Sequence, residues 1–374
     1  MFEVSAQVES PLAISTRRAT GFDIETLVHI PAVAFRGALA ATYLHEHGSE
    51  PDQGFHTLFL AGKVRYGDLR PEGALHWPLS SRECTVSARH PLVDLLLAAS
   101  TGTLPREECV VDGCRHKRKL PESFRRSAGP AIESVKVNTR RIAHVQIDDD
   151  LRRASGGLLH SAQVIDAGQT FEGRISAEPA AEPVLRKFLG QRRTIYIGRG
   201  RTRGQGRIGL SAWETSDTAD SELRQRLEGL NRRATLFPAL ASPSRICFTV
   251  TLQSPAIVFD RWLLSRPYLT AADVSEELSD YRLLACFARS LEISGWHAKA
   301  GMPKSEIAAI APGSSFLFGL EWRDSATRLA EFDRIVPILD ASQTRGVGER
   351  LQEGFGEFIA CDSFHFENAA GANE

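Results

Sequence analysis

The chain has 374 residues, 42% of them hydrophobic, so it can bury one large core or two to three ordinary ones. Its net charge of −1 excludes a protein that is basic over its whole surface. Residues 1–214 hold 29 Lys and Arg against 24 Asp and Glu, whereas residues 215–374 hold 16 against 22. This asymmetry predicts a first half that faces a polyanion and a second half that contacts other neighbours.

The sequence shows no sign of secretion or of membrane insertion. MFEVSAQVES alternates from the start instead of forming an apolar signal region, and no stretch reaches the roughly 18 apolar residues of a membrane span. Six cysteines are too few for a disulfide scaffold in a chain of this length. We therefore expect a cytoplasmic protein without a membrane partner.

The first half is predicted to combine strands with two helices. Alternating apolar residues in FEVSAQVESPLAI indicate a strand that ends at Pro11. A helix is predicted over IPAVAFRGALAATYLHEHG, with Pro31 near its start and Gly48 beyond its end. Short strands are predicted at GKVRYGDLRP and ALHWPLS. Strand-like alternation returns in HVQIDDD, LLHSAQVIDAGQTFEGRISAE and TIYIGRG, and a short helix at EPVLRKFLG precedes the last of these.

The second half repeats the opening of the first. CFTVTLQSPAIVF matches FEVSAQVESPLAI in its alternating apolar residues and in the Ser-Pro that follows them. A helical pattern, YRLLACFARSLEI, comes next, then a strand at GSSFLFGLEW and a glycine-rich loop, VGERLQEGFGEFIACD, that leads into a final strand. The sequence therefore predicts an α+β protein with two βαββαβ-like units in tandem.

The unit boundaries follow from changes in composition. The first unit is predicted to cover 1–214 and to carry an irregular, basic, cysteine-bearing insertion at about 80–128. The polar helix SDTADSELRQRLEGLNRR and the Pro- and Ser-containing LFPALASPS predict a helical linker over 215–242. The second unit is predicted to cover 243–374.

The segment IGRGRTRGQGRIG concentrates glycine and arginine. Glycine lets a loop adopt positive φ and lets its N–H groups face phosphate oxygens. No acidic residue lies between Pro183 and Trp213, whereas that stretch contains Arg186, Lys187, Arg192, Arg193, Arg199, Arg201, Arg203 and Arg207. Because arginine pairs bidentately with phosphate, the pattern favours binding of a nucleic-acid backbone. A solvated glycine turn or a mononucleotide loop is the alternative, but the spacing fits neither an NTPase nor a dinucleotide motif.

Several segments together resemble the RAMP superfamily of CRISPR-associated proteins. They are the opening strand with its Ser-Pro, IPAVAFRGAL, FHTLFLAGKVRYGDLRP and IGRGRTRGQGRIG. The resemblance covers most of the chain, is strongest at 29–40 and 194–210, and is weaker at 343–360, where the loop lacks most arginines. The family's usual Gly and Ser after the proline are missing in PAVAF. The resemblance implies ferredoxin-like (RRM-like) domains and a large, type III-D-like subunit of a type III effector complex.

The resemblance also implies which residues contact RNA. Arg36 and Gly37 would open the first helix, with its N-terminal end facing phosphates. The RNA-contacting loop would comprise Gly198, Arg199, Gly200, Arg201, Thr202, Arg203, Gly204, Gln205, Gly206 and Arg207. The alternatives are a capped surface helix for Arg36 and an ordinary hairpin for the loop.

The insertion contains the spacing of a metal site. Cys84, His90, Cys109 and Cys114 supply thiolates and an imidazole that can close a tetrahedral structural zinc site. Three free thiols with an unrelated histidine are an equally weighted alternative. The remaining cysteines lie in apolar sequence and are predicted to be core residues: Cys247, Cys286 and Cys361.

A second basic region follows the last of these insertion cysteines. Its residues are Arg115, Lys117, Arg118, Lys119, Arg125 and Arg126, followed by Lys136, Arg140 and Arg141. We expect them to extend a groove along single-stranded RNA, in which Phe124, Tyr196 or Trp77 would stack on bases. A solvated charged face is the alternative.

No catalytic motif stands out in the sequence. A guide-processing endoribonuclease would need a general base, for which His29, His144 and His160 are available. A RAMP subunit that cuts target RNA would place an aspartate in the loop after the first strand, where Asp23 lies; a solvated loop residue is the favoured alternative.

The sequence therefore predicts a non-catalytic subunit of a type III CRISPR interference complex. It would bind guide RNA, holding the repeat-derived 5′ handle, and would contact other subunits directly and target RNA indirectly. Target cleavage through Asp23 and guide processing are the alternatives. Structural zinc is the expected metal, and no nucleotide cofactor is expected.

Overall fold

A computed structural model describes residues 1–15, 23–87, 89–102, 108–128, 131–148, 153–215, 219–242, 245–297, 301–321 and 328–369. It is a mixed helix and strand fold, as the sequence predicts. No helix among these residues is long and apolar enough to cross a membrane.

The strands, in chain order, are β1 (Phe2–Val8), β2 (Asp23–Ile24), β3 (Val64–Tyr66), β4 (Arg70–Pro71), β5 (Leu75–His76), β6 (Ser81–Cys84), β7 (Val93–Asp94), β8 (Arg118–Lys119), β9 (Phe124–Ala128), β10 (Ala131–Val135), β11 (Thr139–Asp148), β12 (Arg153–Ile165), β13 (Thr170–Ala177), β14 (Arg193–Tyr196), β15 (Arg207–Glu214), β16 (Arg245–Leu252), β17 (Arg282–Phe287), β18 (Ser290–Ile293), β19 (Trp296–His297), β20 (Met302–Pro303), β21 (Ile307–Ile310), β22 (Ser315–Glu321) and β23 (Phe358–Ala360). The helices are α1 (Ala32–His47), α2 (Gln53–Phe55), α3 (Leu96–Ala99), α4 (Glu182–Leu189), α5 (Ala219–Ala234), α6 (Ala271–Val274), α7 (Arg328–Arg345) and α8 (Phe364–Glu367).

The first half is built on a sheet of order β14-β15-β1-β13-β3, with β4 also paired to β13. β1 lies in the middle and is antiparallel to both β15 and β13. Its alternate residues, Phe2 to Val8, are buried, so one sheet face packs on α1 and α4 in a single hydrophobic cluster. A long hairpin of β11 and β12 extends from this half and pairs with β2.

The second half is built on a sheet of order β17-β22-β16-β23. In both halves the first strand (β1 or β16) lies between the last strand and the strand before the final long helix. Most of β16 is buried, and α5 and α7 contribute to the same hydrophobic cluster as this sheet. Both faces of β16 are covered, so Thr249 and Thr251 are buried together with the apolar residues.

The helical pattern predicted for YRLLACFARSLEI is wrong, because the segment forms β17 and β18. β17 pairs with β22 in the register Leu283 to Phe318 and Cys286 to Phe316, with a bulge between Leu283 and Ala285. Ala285 is buried, whereas Leu283 is exposed, so the spacing of apolar residues did not report one helix face. The helical content of this half comes chiefly from α7, which the sequence analysis did not identify.

Two segments predicted to lie outside the cores belong to the core of the second half. The side chains of Leu96 and Leu97, on α3 of the predicted insertion, are fully buried in the same cluster as β16 and β22. α5, in the predicted linker, buries Leu223, Leu227 and Leu230 there. The insertion therefore lies within the first half of the sequence, but its helix α3 packs in the core of the second.

Buried ion pairs join the two halves. Arg70 donates to both carboxylate oxygens of Glu357 at 2.8 and 2.9 Å, and Arg125 pairs with Asp362 where both side chains are almost fully buried. A buried pair adds little net stability, but losing one partner leaves an uncompensated charge. These pairs therefore fix how the halves meet.

We expect Leu97→Ala to lower the free energy of unfolding by about 2–5 kcal/mol, because it empties a fully buried site in the second core. The matched control Leu60→Ala removes a side chain that is 60% exposed and should change stability by less than about 0.5 kcal/mol. Urea unfolding of both variants measures the difference. Equal, small effects would contradict the assignment of the insertion to this core.

Candidate nucleic-acid interface

The arginine–glycine loop connects β14 to β15 at the edge of the first sheet. The two strands pair antiparallel from Arg193–Leu210 to Tyr196–Arg207, and the loop contains a 3-10 turn at Arg201–Arg203. Four of its glycines have φ between +72° and +84°: Gly198, Gly200, Gly204 and Gly206. Residues with a side chain rarely adopt this backbone conformation. The glycines therefore stand at the positions where the loop needs a positive φ.

The base of the loop packs directly on the segment that follows β1. The N–H of Arg199 donates to the Ala13 carbonyl and the N–H of Gly206 to the Pro11 carbonyl, each at 2.9 Å. A Cβ added to Gly198 would lie 2.2 Å from the Ala13 oxygen. These glycines are therefore required for contact with the protein's own backbone, and not for the approach of a ligand as the sequence suggested.

The tip of the loop faces solvent. The side chains of Arg199, Arg201 and Arg203 are exposed, and none forms an ion pair or a side-chain hydrogen bond within the described part of the chain. The N–H groups of Gly200, Arg201 and Thr202 are also without a partner among these residues. Nothing lies within 4 Å of a Cβ added to Gly204. The tip thus offers guanidinium and backbone donors together.

The other arginines around the loop lie beside carboxylates. Arg207 Nε lies 2.8 Å from Glu9 Oε2, and Arg192 Nη2 lies 3.9 Å from Glu9 Oε1. Two further arginines have acidic partners: Arg186 pairs with Glu182 and Glu214, and Arg193 pairs with Glu46. Glu9 and Glu46 lie far from this stretch in the sequence, and Glu182 and Glu214 lie just outside its two ends. Among the arginines of the stretch, only the three at the tip lack an acidic partner within the described residues.

Of the aromatic side chains predicted to stack on bases, only Tyr196 is exposed. Its side chain is 49% exposed and stands in register with Arg207 beside the loop. Phe124 and Trp77 are buried at 1% and 7% exposure, the latter against Phe364. The prediction is wrong for these two residues.

The second basic region divides into exposed and buried members. Arg115, Lys117, Lys119, Arg126, Lys136, Arg140 and Arg141 are exposed. Lys119 lies beside Glu83 and Glu122. Arg126 lies beside Glu133, and Arg140 lies beside Asp166. Arg125 is buried on Asp362 and beneath the Phe364 ring, so it is withdrawn from any RNA surface. Arg118 is buried as well, at 6% exposure.

The start of α1 is closed to phosphate. α1 begins at Ala32, so Arg36 and Gly37 lie in its second turn and do not open the helix as predicted. The Ala32 N–H donates to the Asp68 carboxylate at 2.7 Å, and the Arg36 guanidinium donates to the Phe59 carbonyl. Burial raises the pKa of Asp68 to about 7.

The second glycine-rich loop covers the same helix end. A Cβ on Gly354 would lie 2.2 Å from the Ala32 Cβ and 2.6 Å from the Tyr66 carbonyl oxygen. Its Arg350 pairs with Glu353. The two loops therefore share a backbone form but differ in surroundings: the first has a free tip, and the second lies against the first half.

The catalytic alternatives gain no site from the described residues. Burial, followed by the Arg70 charge, lowers the pKa of His29 to about 4, and its Nε2 lies 3.9 Å from an Asp68 oxygen. Its neighbour His76 also has a pKa well below the ordinary value, chiefly through burial. The side chains of Asp23, His144 and His160 lie outside the described part; only their strand positions are given, with His144 opposite His160.

The four predicted metal ligands come together. The ligand atoms of Cys84, His90, Cys109 and Cys114 all lie within 4.8 Å of one another. Cys109 Sγ is 3.2 Å from His90 Nδ1, and Cys84 Sγ is 3.9 Å from Cys114 Sγ. Tetrahedral zinc with Zn–S bonds of 2.3 Å requires sulfur atoms about 3.8 Å apart, so the residues fit this ion.

The cysteines differ in their electrostatic environment. Backbone N–H groups of Val86 and Ser87 lower the pKa of the Cys84 thiol to about 6, which favours the thiolate that binds metal. Cys247 and Cys361 are buried core residues as predicted, and burial raises the pKa of Cys361 to about 11. Cys286 is exposed on β17, so its assignment to the core is wrong.

Comparisons with known proteins find similar solved structures but no close relative. No protein-family model matches the chain, and neither does any curated protein. A subunit in a cryo-EM structure of the type III-B Cmr-beta complex, bound to cognate target RNA and AMPPnP, matches with 15% identity over 84% of this chain and 86% of that chain, with a TM-score of 0.43. Pyrococcus furiosus Cmr4 (Cas7) matches with 17% identity over 57% of this chain and 99% of its own, with a TM-score of 0.27.

The identities and TM-scores are too low to establish membership of a family. The functional argument therefore rests on the residues of this chain.

We expect the purified protein to hold about one zinc ion per chain, and Cys109→Ser to remove it, because the ion holds together a segment with few apolar residues of its own. Cys286→Ser, outside the cluster, is the matched control and should retain the metal. Elemental analysis and limited proteolysis measure the outcome. A protease-resistant insertion in metal-free protein would contradict the assignment.

Proposed function

We propose that the chain is a non-catalytic RNA-binding subunit of a type III CRISPR interference complex, in which it holds the repeat-derived 5′ handle of the guide RNA. In this proposal each main sheet, with the helices that follow its strands, is one ferredoxin-like unit. The boundaries are close to 214 and 243, and the predicted insertion contributes α3 to the second unit.

The observation that carries the proposal is the tip of the first glycine-rich loop. Arg199, Arg201 and Arg203 have no protein partner within the described residues, whereas nearby arginines are paired with carboxylates. Three unpaired guanidinium groups next to free backbone N–H groups match a ribose-phosphate strand, whose oxygens accept from both. Solvation alone would not require the neighbouring arginines to be paired while these three are left free.

Further features favour single-stranded RNA over a free anion. The exposed Tyr196 ring lies beside the loop and offers a surface on which a base can stack. The exposed Arg115 and Lys117 provide additional positive charge elsewhere in the first half of the sequence. A strand several nucleotides long can use these contacts together, which a mononucleotide cannot.

The proposal of a non-catalytic role rests on the environment of the histidines. His29 has a pKa lowered to about 4 and a side chain that is only 16% exposed, so it is a weak general base for a ribose 2′-hydroxyl. The acidic second half is proposed to contact other subunits.

The triple variant Arg199→Ala, Arg201→Ala, Arg203→Ala should bind single-stranded guide RNA more weakly, because three phosphate contacts are lost. The slope of log K against log salt should flatten by about 2, since each contact with a single strand contributes roughly 0.7. Fluorescence anisotropy across a salt series measures both quantities.

The charge-matched control is Arg174→Ala, Arg186→Ala, Arg224→Ala. These arginines are exposed but paired with Glu3, with Glu182 and Glu214, and with Asp333. The control should keep most of the affinity and of the slope. Equal losses in both triple variants would mean that net charge, not the loop, governs binding.

Purification of the chain from a host that carries its complete CRISPR locus should yield guide RNAs with one common 5′ end, because the handle is the part shared by all guides. Sequencing of the bound RNA measures this. Bound RNAs that share only their 3′ ends, or carry no repeat-derived sequence, would refute the handle assignment while leaving RNA binding intact.

A further inference from the structure

A basic cavity lies between the predicted insertion and the second half. Its volume is about 710 Å³, and its walls come from β6, α3 and β8 on one side and from β17 and the turn after it on the other. Four cationic residues line it: Arg82, Arg118, Lys119 and Arg289. No Asp or Glu is among the described residues of its lining.

The central feature of this cavity is the buried guanidinium of Arg118. Its side chain is 6% exposed, and its Nε and Nη2 atoms have no hydrogen-bond partner within the described part of the chain. A buried charge without a partner costs several kcal/mol, so native structures rarely contain one. The two other arginines that are almost fully buried among the described residues have carboxylate partners: Arg70 pairs with Glu357 and Arg125 with Asp362. An acceptor from outside the chain would satisfy Arg118.

The position of Arg118 is set by the fold. It stands directly opposite Cys84 in the β6–β8 pair, four residues after Cys114, so the predicted metal ligands hold its strand on both sides. Phe287, whose ring packs beneath the Arg82 guanidinium at 5.7 Å, forms part of the opposite wall. Backbone pairing with β6 therefore fixes the strand that carries Arg118.

The other cations contribute to different degrees. Arg289 is exposed, and its side chain has no ion pair or hydrogen bond among the described residues. Arg82 donates to the Leu79 and Ser81 carbonyls and adds charge without being free. Lys119 Nζ lies 3.6 Å from Glu83 Oε1 and 3.4 Å from Glu122 Oε1, so its charge is partly neutralised. The net field in the cavity is positive.

We propose that this cavity binds a phosphate group, carried either by an RNA strand or by a free nucleotide, with Arg118 as its principal ligand and Arg289 as a second. Phosphate supplies several oxygens that a guanidinium fork can contact in pairs, and it carries enough charge to balance more than one cation. The site is separate from the arginine–glycine loop because it is formed by other elements. It does not depend on the function proposed for that loop.

Three probes distinguish the source of the phosphate: inorganic phosphate, adenosine monophosphate and a ten-nucleotide single-stranded RNA. Titration of each with the zinc-loaded full chain, followed by thermal unfolding, should give a saturable rise in Tm for at least one. If inorganic phosphate or adenosine monophosphate suffices, the source can be a free anion; if only RNA suffices, the source is a strand.

Arg118→Met separates a ligand site from a structural role. It replaces a buried, unpaired charge with an apolar side chain of similar length, so the protein without ligand should be equally or more stable. The affinity of the effective probe should fall about ten- to hundredfold, because a charge-assisted contact is lost. Arg289→Ala should weaken binding without loss of the fold, and Arg282→Ala, exposed on the same β17, should leave it unchanged.

Phosphate also stabilises proteins in general through exclusion from their surfaces, so the comparison between variants is the readout, and not the rise itself. Equal responses of the native chain and Arg118→Met, or no saturable response to any probe, would overturn the proposal. So would a strongly destabilised Arg118→Met, because it would indicate a partner within the protein. The loop triple variant should keep the response to inorganic phosphate or adenosine monophosphate, and this separates the two proposals.

Discussion

Backbone contacts too close for any Cβ atom hold both glycine-rich loops in place. A Cβ on Gly198 would approach the Ala13 oxygen to 2.2 Å, and one on Gly348 would approach the Ile257 oxygen to 2.3 Å. In each half the Ser of the Ser-Pro pair also accepts a hydrogen bond from the first residue after the loop, at 2.9 and 2.8 Å. The loop is therefore fixed by its base, and the residues at its tip are free to differ between the halves.

The two loop tips differ in their charge and in what they contact. In the first half the tip carries unpaired arginines and faces solvent. In the second half Arg350 takes the left-handed position of the first loop's Gly200, with φ of +58°, and pairs with Glu353. Gly354 lies against Ala32 and closes the N-terminal end of α1. One backbone form thus presents an exposed basic surface in one half and an interface between the halves in the other.

Local patterns predicted what depends on local geometry. The glycine spacing at 198–206 identified a loop with left-handed backbone, and the cysteine and histidine spacing identified residues that do come together. The prediction was wrong where distant residues decide the outcome. Arg125 looks like a solvated cation until Asp362, 237 positions along the chain, is placed beside it. The helix expected around Ala285 is a strand because β22 supplies its hydrogen-bond partners, and no periodicity within the segment encodes that pairing.

The insertion shows how a segment with little core of its own can still be ordered. Its strands are only two to five residues long, and its apolar anchor, Leu96 and Leu97, lies in the core of the second half. Cys84 and Cys114 lie 30 residues apart in sequence and 3.9 Å apart between their sulfur atoms, so a zinc ion bound by this cluster would limit the freedom of the intervening chain much as a covalent link does. Arg118 lies four residues after Cys114 and opposite Cys84. Zinc bound there would also fix the short strand that carries Arg118, and we therefore expect the basic cavity to depend on occupancy of the metal site.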